Sequence, residues 1–209
     1  MLSLLPLTSS DATFMVWLML DVRNISLPSL FSDLSFSLAQ REMLLIRGTN
    51  GAGKSSLLRM VAGLIRPSSG TLFWEGQKIQ LSAYQQSLLY SGHSLGLHPE
   101  ALLKDQVNLW HYHYRVEKKV IEAALHIWGI APFANQKIQH LSQGQQKRLS
   151  LSRLHSLARP LWILDEPHSS LDAEGRKILE DTLARHLERD GLAILASHEK
   201  QPGMREICL

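Results

Sequence analysis

Gly48-Thr49-Asn50-Gly51-Ala52-Gly53-Lys54-Ser55 is the stretch whose residue types can do the most chemistry. Glycines at its first, fourth and sixth places let the backbone curl so that successive N–H groups point at one polyphosphate. The helix start that follows adds partial positive charge, Lys54 neutralises β- and γ-phosphate oxygens, and the Ser55 hydroxyl can ligate Mg²⁺. A second stretch, Leu161-Trp162-Ile163-Leu164-Asp165-Glu166, puts two carboxylates at the end of an apolar run. At the carboxyl end of a buried strand such groups reach the ligand crevice of an open α/β sheet. Asp165 would hold Mg²⁺ there, and Glu166 would orient and deprotonate the water that attacks a γ-phosphate. Read singly, each stretch has a plainer alternative: a glycine turn before a surface lysine, or a carboxylate capping a helix. Their pairing in one chain points to hydrolysis of a nucleoside triphosphate.

Such residues need strands and helices to carry them. Met43 to Arg47 reads as a strand into the glycine loop, and Lys54 to Ile65 as a helix with Leu57, Leu58, Val61 and Leu64 on one face, stopped by Arg66-Pro67-Ser68-Ser69-Gly70. Further strands are predicted at 34–38, 71–74, 79–81, 88–91, 161–164 and 192–196, and helices at 100–114, 117–127, 143–157 and 173–188. The alternation is that of an α/β protein with a parallel core. The 209 residues balance 22 Lys+Arg against 19 Asp+Glu and are 44% hydrophobic, which excludes a disordered chain. No run reaches the ~18 apolar residues of a membrane helix. One cysteine, Cys208, excludes an internal disulfide and a cysteine zinc site, and no basic block suggests nucleic acid.

Between the two stretches lies Leu141-Ser142-Gln143-Gly144-Gln145, and after them come Ser170-Leu171-Asp172 and Ser197-His198. In this order the motifs resemble the ATP-binding cassette (ABC) family, whose signature LSGGQ is matched except at Gln143. The resemblance covers nearly all of residues 19–209. It implies a P-loop NTPase of the ABC ATPase type: a mixed sheet core, an antiparallel β region, and a helical subdomain at about 95–157 inserted in a RecA-like core. Residues 19–209 would form that single domain, with 1–18 an extension of doubtful structure or a misassigned start. The resemblance also implies ATP and Mg²⁺ as cofactors, and two copies paired head to tail. Each ATP would meet Gly48, Asn50, Gly51, Ala52, Gly53, Lys54, Ser55 and Ser56 of one copy and the signature residues Leu141, Ser142, Gln143, Gly144 and Gln145 of the other. His198 would contact the γ-phosphate as a switch, beside Glu166 and Lys54. Asp172 matches the loop that communicates between copies, and is equally an N-cap for the helix at 173–188.

Two places depart from the wider family. His93 stands where Gln is usual, either as a nucleotide-binding group or filling the same space, and the segment before the glycine loop offers only Phe31, a core candidate, as aromatic platform for adenine. Gly92-His93-Ser94-Leu95-Gly96-Leu97, Asn108-Leu109-Trp110-His111-Tyr112 and Gln145-Gln146-Lys147-Arg148 are similar to the ATPases of cytochrome c maturation. That likeness implies a peripheral subunit on the cytoplasmic face of the bacterial inner membrane. It would work with integral subunits of the CcmB and CcmC types in haem export or its periplasmic delivery. Direct haem ligation is not expected, since no Cys-x-x-Cys-His occurs, and His111 and His113 fall on different faces of a helix. Two other readings stay open: a soluble ABC ATPase or regulatory module without membrane subunits, and a P-loop kinase, which would need no Leu141–Gln145 signature.

Overall fold

A computed structural model of the chain describes residues 18–198 and 204–209, without the side chain of Leu18. The extension expected at residues 1–18 lies outside the described residues, except that the backbone of Leu18 opens the first strand. The chain divides into two compact units.

The first unit takes the described residues of Met1–Tyr90, Pro160–Leu164 and His186–Leu209. It begins with an antiparallel sheet: β1 (Leu18–Leu27), β2 (Phe31–Ala39), β4 (Ser69–Trp74) and β5 (Gln77–Lys78), in the order β2-β1-β4-β5. The second sheet has the order β6-β7-β8-β3-β9, with β3 at Met43–Arg47, β6 at Leu88–Ser91, β7 at Leu161–Asp165, β8 at Leu192–Ala196 and β9 at Arg205–Cys208. β3 runs parallel to both its neighbours, Met43 facing Ala193 and Leu44 facing Arg205. Every residue of β8 is buried, as an apolar run covered on both faces should be. Leu44, Ile46, Leu161, Ile163, Leu192 and Ile194 join Leu57, Leu58 and Val61 of α1 (Lys54–Val61) in one core. Each such side chain contributes about 1.5–3 kcal/mol on burial. Phe31 packs against this core, as its sequence neighbourhood suggests.

Three features of this unit differ clearly from the sequence expectation. The helix expected to reach Ile65 ends at Val61, because Gly63 turns left-handed (φ 69°) and Leu64 N–H closes on the Arg59 carbonyl at 2.8 Å. The strand expected at 79–81 is absent, and α2 (Leu81–Gln86) starts there. Its Tyr84, buried with its phenol pKa raised by burial, donates to the Val61 carbonyl at 2.8 Å, so packing against α1 decides the helix. β9, with exposed Arg205 and Glu206, has too little apolar pattern to be read from sequence. Elsewhere in this unit, the His186 ring stacks on Trp162 of β7 at 3.6 Å and lies 3.1 Å from the Leu192 carbonyl, and burial holds its pKa below the usual histidine value.

The second unit, Ser91–Arg159 and Asp165–Arg185, is helical. It contains α3 (Leu103–Tyr114), α4 (Lys118–Ile127), α5 (Gln143–Leu151) and α6 (Arg153–Ser156), followed by most of α7 (Ala173–Glu188). The single helix expected at 143–157 is thus two, broken at Ser152, whose hydroxyl donates to the Leu149 carbonyl at 2.7 Å. Leu103, Val107, Trp110, Ile121, Leu125 and Trp128 fill the interior. Trp128, fully buried, donates its indole N–H to His155 Nδ1 at 3.0 Å.

Candidate functional site

In the first unit the glycine loop leaves the end of β3 and enters α1. Gly51 (φ 86°) and Gly53 (φ 100°) occupy left-handed backbone, which a residue with a Cβ reaches only under strain. Gly53 is the N-cap of α1, no side chain caps that helix, and its first turn has no acidic residue. Its amides and partial positive charge therefore meet no carboxylate from their own turn. Lys54 is buried and its Nζ donates back to the carbonyls of Gly48 (2.8 Å) and Thr49 (3.1 Å), folding the loop over its own cation. Asn50 is exposed, and Ala52, Ser55 and Ser56 are half-buried. His198 lies exposed two residues beyond β8; since Ser197 N–H bonds the Ile46 carbonyl at 3.2 Å, it leaves the sheet at the same end as the glycine loop.

The second unit holds the carboxylates and the signature. Asp165 closes β7 at 4% exposure, and its Oδ2 is buried with no hydrogen-bond partner among the described residues. A buried, unmatched carboxylate oxygen is a fitting donor for a hard divalent cation. Glu166, next in the chain, has φ 46°. Ser142 caps α5 in a full capping box: its Oγ accepts from Gln145 N–H at 3.2 Å, and Gln145 Oε1 accepts from Ser142 N–H at 2.8 Å. A hydroxyl that accepts this way still has its own proton to donate to a phosphate. Gln143, the departure from the signature, is exposed. Asp172 caps α7 through Gly175 N–H at 2.9 Å and pairs with Arg148, which also reaches Glu174 at 3.0 Å. The Arg148 hydrogen bond, then the Gly175 amide, hold the Asp172 carboxyl below its usual pKa. Ser142, Gly144, Gln145, Arg148 and Asp172 line one cavity of about 500 Å³. His93 is exposed two residues beyond β6. Among the described residues no group of three or more His, Cys, Asp or Glu side chains could hold a metal by itself, and Cys208 is a free thiol.

Two residues were quoted in the sequence only as part of a longer motif, and the structure gives them clear contacts. Lys147 is 5% exposed and donates to the Glu166 carbonyl at 2.9 Å; burial lowers its pKa, and the Asp165 and Glu166 carboxylates oppose that fall. Arg148 ties α5 to Asp172 and Glu174 and reaches the Trp128 carbonyl at 3.3 Å. The available signal was two adjacent cations just inside a helix, on successive and therefore different faces.

The sequence profile described as ABC transporter matches residues 31–169. The chain belongs to the ABC transporter family. Among its relatives, the cytochrome c biogenesis ATP-binding export protein CcmA of Pseudomonas putida is 41% identical over 189 residues, 86% of this chain and 89% of that protein. The protein of the same name from Escherichia coli K12 is 40% identical over 173 residues, 82% and 83% of the two chains. The fold matches a putative ABC transporter ATP-binding protein from Pyrococcus furiosus (TM-score 0.77, 20% identity, 91% of this chain and 96% of that one). It also matches a bacterial ABC transporter cassette solved as a dimer (TM-score 0.76, 21% identity, 87% and 88%). As an ABC family member this chain is a nucleotide-binding, ATP-hydrolysing transporter subunit. Among its described residues no helix is long and apolar enough to cross a membrane.

Proposed function

We propose that this chain powers a transporter of cytochrome c biogenesis, exporting haem or driving its delivery and release on the periplasmic side. The observation that carries the reading is the 40–41% identity, over more than four fifths of each chain, to relatives named for that process. Residues 19–209 act as one ATPase domain with 95–157 as its helical subdomain, on the cytoplasmic face of the inner membrane under integral subunits of the CcmB and CcmC types. Two copies pair around ATP.

Within each copy the loop amides from Gly48 to Ser56 and the Lys54 ammonium bind the β- and γ-phosphates. Ser55 and Asp165 are the residues to hold Mg²⁺, a reading supported by the unmatched Asp165 Oδ2. When bound, the ion neutralises and orients phosphate oxygens. Glu166 orients the attacking water and takes its proton, with His93 and His198 beside the γ-phosphate. Leu141 to Gln145 of the second copy close over the same phosphate, Ser142 Oγ–H and the Gly144 amide donating, and Asp172 lies at the seam between copies.

Co-expression with the membrane subunits, detergent extraction and affinity purification test this directly. The chain should co-purify with them and hydrolyse ATP, and cells carrying only Glu166→Gln should accumulate cytochrome c without covalently attached haem. Normal cytochrome c maturation in those cells would overturn the reading.

A further inference from the structure

Lys147 is the fifth residue of α5, the helix that the signature opens, and its ammonium is buried. A cation taken out of water loses several kcal/mol of hydration unless charges and dipoles replace it. Here the replacement is the Glu166 carbonyl at 2.9 Å, in the field of the Asp165 and Glu166 carboxylates. The same carbonyl accepts from Ser169 N–H at 3.2 Å and Ser169 Oγ at 2.8 Å. Three donors therefore converge on the carbonyl of a residue whose φ of 46° costs of order 1–3 kcal/mol to hold. The Ser169 bonds are local to the turn, whereas the Lys147 bond comes from another element. Farther along the same loop α5 makes two more contacts. A Cβ on Gly144 would lie 2.8 Å from the Ser170 carbonyl, and Arg148 grips Asp172 and Glu174. The signature helix thus bonds the segment from Glu166 to Glu174 at its start and end and abuts it at Ser170 in between.

We propose that Lys147 is a positioning residue for Glu166, through which movement of the signature helix, on meeting the nucleotide of a second copy, is delivered to the water-orienting carboxylate of its own chain. A short segment bonded to the helix at both ends and abutting it between them cannot absorb a shift at Ser142 without the Glu166 turn following it. Engagement of one nucleotide site is thereby reported to the hydrolytic group of the other. The proposal rests on Glu166 as the water-orienting group and on Ser142 as a phosphate donor in the second copy.

The test compares Lys147→Met, Ser142→Ala, their double variant and Glu166→Gln by steady-state ATPase kinetics and Mg·ATP binding. Lys147→Met should lower kcat by about 10–100-fold, the scale of a misplaced catalytic group, with ATP affinity within about twofold of the parent. Because both residues act along one path, the double variant should lose clearly less than the product of the single losses. A merely structural lysine would give multiplying losses. Should Lys147→Met not fold, Lys147→Gln, which keeps an N–H donor without the charge, enters the same cycle. Multiplying losses, or a kcat within twofold of the parent, overturn the proposal. If Glu166→Gln itself hydrolyses at the parent rate, the reading of Glu166 falls instead.

Discussion

The glycine loop of the first unit and the Glu166–Glu174 loop of the second hold their shapes by opposite means. The glycine loop is self-contained: its left-handed glycines and Lys54, bonded to the carbonyls of Gly48 and Thr49, all lie within eight consecutive residues. Glu166 also sits in left-handed backbone but without a glycine, and the groups that keep it there include Lys147, from a helix that precedes it by many residues. A self-supporting loop can bind the same ligand group whatever its surroundings do. A loop held by a neighbouring helix can be moved by it.

This contrast can be broken at several points. The largest effect should come from Glu166→Gln, which keeps the turn and removes the proposed proton acceptor: hydrolysis should fall by about 10²–10⁴-fold while equilibrium dialysis still finds ATP bound. Next is Lys54→Ala, which removes the proposed charge-assisted phosphate contacts, worth about 1.5–3 kcal/mol, so ATP affinity should drop roughly 10–150-fold when measured by titration calorimetry. If the two variants failed in the same way, the division between a binding loop and a hydrolytic loop would not stand. Gly53→Ala is a smaller perturbation, placing a Cβ at φ 100° and 3.2 Å from Leu30 Cβ. It should cost about 1–3 kcal/mol of stability in urea unfolding, and Leu30→Ala in the same chain should recover only the part due to crowding.

The smallest effect concerns the sheet itself. Burial depresses the His186 pKa in the folded chain, so the unfolded chain binds that proton more readily. Its contribution is fully present above the ordinary histidine value of about 6.5 and is lost as pH falls from there toward the depressed folded value. Thermal melting of the parent should therefore weaken over that window, more than that of His186→Phe, which keeps a ring against Trp162 without a titrating group.

What could be read beforehand follows the same line between local and distant causes. The glycine loop and the Leu161–Asp165 strand are written in adjacent residues, and the structure has each where the pattern puts it. α2 was missed because its formation depends on Tyr84 reaching the Val61 carbonyl, and the end of α1 because Leu64 and Ile65 carry the apolar pattern past Gly63, the left-handed residue that stops the helix. Lys147 and Arg148 stood in the sequence only as part of a longer motif, since nothing in a linear pattern says that a lysine's partner is a carbonyl nineteen positions later. Gln143 was conspicuous in the sequence, yet its exposed side chain has no structural consequence within the unit.

The pairing of β3 carries a consequence for how such a chain is made. The strand that launches the glycine loop binds on one side to β8 and on the other to β9, Met43 facing Ala193 and Leu44 facing Arg205. A ribosome that has just released the glycine loop has not yet synthesised either neighbour. Until it does, Leu44, Leu45 and Ile46 present two open backbone edges and an apolar surface, the hallmark of aggregation-prone nascent segments. Pairings of such long sequence separation also form slowly. The glycine loop is therefore translated early and anchored among the last. Chaperone demand during synthesis should be set by the wait for residues 192–208 and not by the helical unit, whose contacts are closer in sequence.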